Sequence, residues 1–230
     1  MKVRIGAALA AVSVLLAGCV TPPQQPVALA EVHPAAMPGK VGVAMTALPK
    51  ADMHLPGAGC LLCMAAASVA NQSLTTYAQT LPHEDLPKLK DEIAGLLRKK
   101  GIDAVVLAED VNIDALASYS GEGTNKAKKD FTPLAKKYGV DKLVVISIST
   151  LGFERSYSAY VPTSDPKGVF RGVGFVIDLR DNTYSWYLPV SVLKSADGKW
   201  DEGPKFPGLT NAYFQAMELG KDEFLKPLLK

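Results

Sequence analysis

Two cysteines three residues apart, Cys60-Leu-Leu-Cys63, are the side chains whose type and spacing could most readily do chemistry. One helical turn apart, they can serve as two small apolar groups, close a structural disulfide, or act as a redox couple where the surroundings lower a thiol pKa. A thioredoxin-like pair opens a helix directly after a strand, whereas here Leu-Leu separates the thiols and the preceding apolar run ends well before them. The structural roles therefore lead. His54 and His83 flank the pair and would complete a Cys2His2 zinc set. The interval from Cys63 to His83 is long, however, and His83 sits in a Pro-rich turn that suits an exposed residue, so no metal is expected.

The third cysteine has a different setting. Lys2 and Arg4 precede an apolar run from Ile5 to Leu16, and Leu16-Ala-Gly-Cys19 follows. This is the layout of an export signal rather than of a fold. The run falls well short of the roughly 20 residues needed to cross the hydrocarbon layer, so residues 1–18 are expected to be removed. Leu16-Ala-Gly-Cys19 resembles the lipobox of bacterial lipoproteins. That resemblance implies a thioether-linked lipid on Cys19, an acylated new amino terminus and anchoring in the cell envelope. Val20, in place of the Asp that retains enteric lipoproteins in the inner membrane, points to the outer membrane, with the domain facing the periplasm.

Removing Lys2 and Arg4 lowers the basic count from 25 to 23, equal to the 23 acidic residues, so the mature chain is formally neutral. No nucleic-acid partner is implied. Residues 19–39 carry Pro22, Pro23, Pro26, Pro34 and Pro38 among Gln, Ala and Val, and read as a lipid anchor followed by a semi-rigid tether. Extended, some twenty residues would span on the order of 60 Å. Residues 40–230 read as a single domain.

That domain must position the cysteines, and its elements are legible from periodicity. Residues 40–46 form an apolar strand ended by Pro49. The stretch from Leu55 to Ala70 is almost wholly apolar or small and predicts a helix running on to Leu81. Leu86, Leu89, Ile93, Leu96 and Leu97 share one face of a second helix that Gly101 ends. Ile102 to Leu107 follows as a strand, residues 121–125 as a loop, and Thr132-Pro133 to Gly139 as a short helix with Lys126, Lys128, Lys129, Lys136 and Lys137 on its solvated flank. From Asp141 the period changes to two. Val144, Ile146 and Ile148 share a face, as do Val169, Val173, Phe175, Ile177 and Leu179, and Tyr184, Trp186, Leu188, Val190 and Val192. A closing helix covers Asn211 to Leu229, bent near Gly220 and Pro227. The expected fold is α+β, a mixed, mainly antiparallel sheet with helices packed on one face.

The segment from Phe175 through Asp178 to Trp186, following Val140 to Ile146, resembles the periplasmic lipoproteins built on the fold of the TolB amino-terminal domain, which include the CsgG and LpoB families. Asp178 and Trp186 match the family pattern, whereas Asn182-Thr183 departs from its usual Thr-Gly turn. The resemblance spans Lys40 to Trp186. It implies no enzyme active site, and a role in binding envelope proteins or assembling into rings. No counterpart of the paired membrane hairpins of a curli-type channel is present in the sequence.

Enzyme chemistry finds no sequence support. No serine lies in a nucleophile elbow, and residues 121–126 lack the order of a phosphate loop. No cofactor is expected. The leading expectation is a non-enzymatic accessory or assembly factor of an envelope machine that binds a protein partner. Its candidate interaction surface is Leu61, Leu62 and Met64, together with the aromatic residues Tyr157, Tyr160, Phe170 and Trp186, of which Trp186 reads first as core. Alternatives are a ring-forming export component, for which homo-oligomerisation is the discriminator, and a periplasmic thiol-redox or ligand-binding protein.

Overall fold

The computed structural model describes residues 23–229. In chain order the strands are β1 (Val41–Met45), β2 (Asp52–His54), β3 (Ala104–Val106), β4 (Lys142–Glu154), β5 (Tyr157–Ser158), β6 (Val161–Pro162), β7 (Lys167–Asp178) and β8 (Thr183–Ser195). The helices are α1 (Leu61–Ala70), α2 (Gln72–Ala78), α3 (Leu89–Lys99), α4 (Pro133–Tyr138) and α5 (Pro207–Leu229). The main sheet runs β3-β1-β4-β7-β8, and β2 extends the far end of β4. β1 is parallel to β3 and β4, while β4, β7 and β8 form the antiparallel meander. The fold is α+β, as the periodicity implied.

Alternation along the strands divides the apolar residues between two layers. Val41, Val43, Val144, Ile146, Val176 and Trp186 meet α2, α3 and α5 on one face. Ala44, Leu143, Val145, Phe175 and Ile177 meet Phe131, Leu134 of α4 and the loop residue Val111 on the other. α2, α3 and α5 thus share one face, the short α4 lies on the opposite side, and α1 packs on neither, having a small core of its own. β1 is buried at all five positions, which explains why its sequence lacks polar alternation.

Two bulges reset the period. The β4–β7 register shifts between Ile148 and Thr150, so Leu151 and Phe153 continue the face of Ile146 although their parity differs. The β7–β8 register shifts at Ser185, which turns Tyr184 to the α4 side while Trp186, Leu188 and Val190 keep the α5 side. The single face expected for Tyr184 through Val192 is corrected accordingly.

α5 starts at Pro207, four residues before the expected Asn211, and continues without interruption through Gly220. Gly220 is needed for contact rather than for bending, since a Cβ there would lie 2.2 Å from the Phe170 ring. Gly101 and Gly139 take the left-handed caps that end α3 and α4. Of the expected solvated lysines, Lys126 donates to the Asp181 carbonyl (2.6 Å) and the Thr183 hydroxyl (2.8 Å), and Lys129 to the Asp114 and Leu116 carbonyls (both 2.9 Å). These two fasten the loop over the sheet instead of facing only solvent.

The segment expected as a free tether also differs. Val27 exchanges two backbone hydrogen bonds of 2.9 Å with Tyr187 on β8, and Val32 and Met37 are buried in the α5-side core. Apolar residues spaced among the prolines give this strap enough buried surface to dock. The extended spacer of 60 Å is therefore not formed by residues 27–39. Residues 1–18, Cys19 and the tether residues before Pro23 lie outside the described residues.

Candidate functional site

Beyond the ends of β2 and β4 the chain builds a small projecting tip. Arg155 N–H donates to the His54 carbonyl (3.0 Å), Tyr157 N–H to that of Pro56 (2.8 Å) and Ala159 N–H to that of Gly57 (3.2 Å). Two segments therefore continue off the sheet side by side. Gly57 makes this approach feasible: its φ is +88°, and a Cβ would sit 1.9 Å from the Tyr157 carbonyl oxygen.

The chain then enters α1. Cys60 occupies the N-cap, its Sγ accepting from the Cys63 N–H at 2.9 Å, and Cys60 and Cys63 are joined as a disulfide with Cα atoms 4.9 Å apart. The bond staples the first turn of the helix to its cap and leaves neither sulfur free to hold a metal. His54 Nε2 lies 3.0 Å from the Leu151 carbonyl and His83 Nδ1 3.3 Å from that of Leu81. Among the described residues, no three metal-binding side chains come together.

α1 ends at Asn71, and the expected continuous helix to Leu81 is broken there into α1 and α2. Asn71 is buried, and its amide donates to the Ala67 carbonyl (2.7 Å) and the Tyr157 hydroxyl (2.6 Å) while accepting from Arg155 (3.4 Å). A side chain that satisfies a carbonyl of the last turn competes with helix continuation, which accounts for the break. The same amide ties α1 to β5. Beneath it lies a minimal core of Ala58, Cys63, Ala67 and Tyr157, with Leu55 packed against it.

Of the ten residues of α1, only Cys63 and Ala67, one turn apart, are buried. The other face carries Leu61 (88% exposed), Leu62 (70%), Val69 (74%) and Met64 (42%), with Ala65, Ala66 and Ala70 among them. The β5–β6 hairpin extends this surface through Tyr160 (55%) and Val161 (63%), and the Tyr160 hydroxyl lies 3.7 Å from the Cys60 sulfur. From Leu55 to Pro82 the sequence contains no Asp, Glu, Lys or Arg. The tip is thus an apolar, uncharged surface on a stapled helix. It can bury against another apolar surface, and it offers little to a charged ligand.

The structure brings together Cys60, Leu61, Leu62, Cys63 and Met64 as the sequence implied. It separates the aromatic residues named with them: Tyr160 is exposed at the tip, Tyr157 and Phe170 are buried and are corrected from surface to core, and Trp186 is buried in keeping with its core reading. Phe170 packs on Phe224 of α5, with ring centroids 6.0 Å apart. Sequence reasoning missed Asn71 and Arg155 as the joint of the tip. A lone Asn inside an apolar helical run was the available signal.

Ion pairs hold the two ends of the long strands. Below the tip, Arg171 grips Glu154 through both terminal nitrogens (2.5 and 2.9 Å), and this hydrogen bonding raises the guanidinium pKa. At the opposite end Arg180 clamps Asp178 (2.7 and 3.0 Å) and Lys142 pairs with the same carboxylate, so Asp178 is held well below the usual carboxylate range, by Arg180 first and against the cost of burial. A separate cleft of about 460 Å³ is lined by Thr46, Ala47, Asp110 to Asp114 and Ser147, and contains neither histidine nor cysteine. No described helix is long and apolar enough to cross a membrane.

No protein-family model matches the chain, and no curated protein matches it. Solved structures similar to it include the PelC dodecamer from Paraburkholderia phytofirmans, at 12% identity, covering 90% of this chain and 94% of that one with a TM-score of 0.35. Protein XCC0632 from Xanthomonas campestris, described under the family model DUF330, is similar at 12% identity over 90% and 93% of the two chains, with a TM-score of 0.40. Lipoprotein GNA1162 from Neisseria meningitidis is similar at 13% identity over 81% and 99%, with a TM-score of 0.28. Likenesses at this level carry no conclusion about activity or assembly.

Proposed function

We propose that this chain is an outer-membrane lipoprotein, anchored through a lipid on Cys19 and facing the periplasm, that works without catalysis as a protein-binding accessory or assembly factor of an envelope machine. The observation that carries the docking role is the tip: a disulfide-stapled helix presenting Leu61, Leu62, Met64 and Val69 to solvent, continued by Tyr160 and Val161. Soluble monomers keep such patches to a few hundred Å², and larger ones mark interaction sites. The staple favours the role because a preformed surface loses less conformational entropy when it binds. A disulfide at the tip also suits an oxidising compartment such as the periplasm.

The anchoring part is tested by growing cells with labelled palmitate and separating their membranes by density. The full-length chain should carry label and sediment with the outer membrane, and the Cys19→Ser form should carry none and be released. Label without outer-membrane recovery contradicts the location, and an unlabelled full-length chain contradicts the anchor. Docking is tested by recovering the complex from detergent extracts with and without Leu61→Ser and Leu62→Ser. A complex of unchanged composition and yield contradicts the assigned surface.

A further inference from the structure

The tip has the properties of a surface that pairs with a copy of itself. Leu62, Ala66 and Val69 lie at i, i+4 and i+7, forming one stripe along α1 with small alanines between the larger side chains. Laid antiparallel against an identical helix about a two-fold axis, Leu62 of one chain meets Val69 of the other, and the alanines allow the two backbones to approach. A two-fold contact places every residue near its own counterpart or that of a neighbour, so like charges in it repel. Residues 55–82 hold no Asp, Glu, Lys or Arg, which removes that penalty and also removes the charges a differently charged partner would read. A membrane-surface helix, in contrast, carries Lys or Arg on its polar face, and α1 has none.

Area points the same way. Leu61, Leu62, Met64, Val69, Tyr160 and Val161, with the alanines between them, present on the order of 700 Å², near the roughly 800 Å² per partner of a standard interface.

The position of Gln24 in the strap also sets the geometry. Gln24 lies against Asn125, whose carbonyl accepts from Tyr184 N–H at the start of β8. The tip lies past Glu154, at the other end of β4, whose 13 residues span about 40 Å. Only four peptide links separate Cys19 from Pro23, a reach of at most about 14 Å. Two chains anchored at Cys19 in one membrane therefore share an orientation and hold their tips at the same height, which raises the effective concentration of one tip around the other.

Building on the docking role above, we propose that the partner seated on the tip is a second copy of this chain, joined through α1 and the β5–β6 hairpin about a two-fold axis. The test uses the full-length chain in its own envelope, co-expressed in two differently tagged forms. Leu62 in one set and Val161 in another is exchanged for the photoreactive amino acid p-benzoylphenylalanine; both positions are exposed, so the fold is kept. Illumination should give an adduct of twice the chain mass carrying both tags, with Leu61→Ser in the same chain lowering its yield about tenfold. An adduct with a different protein alone overturns the pairing of copies and leaves the docking role standing. Adducts with lipid alone, or none at either position, overturn both.

Discussion

Replacing Asn71 with Ala should open the tip while leaving the sheet closed. The amide makes three hydrogen bonds, to Ala67, Tyr157 and Arg155, in a setting only 1% exposed. At about 0.5–1.5 kcal/mol net for each, with the added cost of a Tyr157 hydroxyl left without its partner, the loss comes to about 2–4 kcal/mol. The core beneath α1 is four buried residues, so it cannot absorb such a loss as the main core could. The opening should therefore be local. In native-state hydrogen exchange, the amides of Met64 to Ala70 should exchange about 30- to 1,000-fold faster in Asn71→Ala than in the wild type, at 1.4 kcal/mol per factor of ten. Amides of β4 and α3 should keep their protection. Unchanged exchange in α1 would refute the assignment of Asn71 as the joint, and equal acceleration in α1 and β4 would refute the tip as a separately opening unit.

Three other outcomes are expected. Cys60→Ser removes a cross-link closing a four-residue loop and should lower unfolding stability by no more than about 2 kcal/mol in urea titrations; complete unfolding of the variant would contradict a purely local staple. Asp178→Asn leaves the buried Lys142 ammonium without its carboxylate and should cost about 2–3 kcal/mol at pH 7. Because the folded-state pKa of Asp178 is depressed, its contribution is complete above the ordinary carboxylate pKa near 4 and is lost as pH falls below it. The variant's stability deficit should therefore shrink at pH 2–3, and a deficit that stays constant with pH would contradict this ion pairing. Gly220→Ala forces a methyl group into the Phe170 ring and should destabilise by about 1–3 kcal/mol, seen as a lower thermal midpoint; no change would show that α5 can shift there at little cost.

Periodicity revealed most of the sheet because long strands buried on both faces leave little freedom in residue choice. It failed where one residue is inserted: Ser149 and Ser185 carry no compositional mark of a bulge, yet Ser185 moves Tyr184 across the sheet. β2 is three residues long and gains its place by pairing with Glu154, Phe153 and Gly152 and by burying Met53 in the core, which no local pattern encodes. The docked strap was hidden for a related reason, since Val27, Val32 and Met37 are isolated apolar residues in a proline-rich stretch and their partners lie far along the chain. At the tip, Leu61, Leu62 and Met64 were legible as an unusual apolar run because few polar residues interrupt it. Which aromatic residues joined them was not legible, because Tyr157 on β5 and Tyr160 in the turn that follows are three residues apart in a stretch whose sequence does not mark which of them faces inward.

The native mass of the full-length lipidated chain in mild detergent, beside its Leu61→Ser, Leu62→Ser form, tests the pairing of two copies through the tip most directly. Burying side chains that are 88% and 70% exposed is worth about 2–4.5 kcal/mol per copy, so their loss from one copy alone should weaken association roughly 30- to 2,000-fold, and loss from both copies further. The wild type should run as two copies and the variant as one, with both giving the same circular dichroism spectrum. A monomeric wild type, or a variant that keeps the wild-type mass, would contradict it.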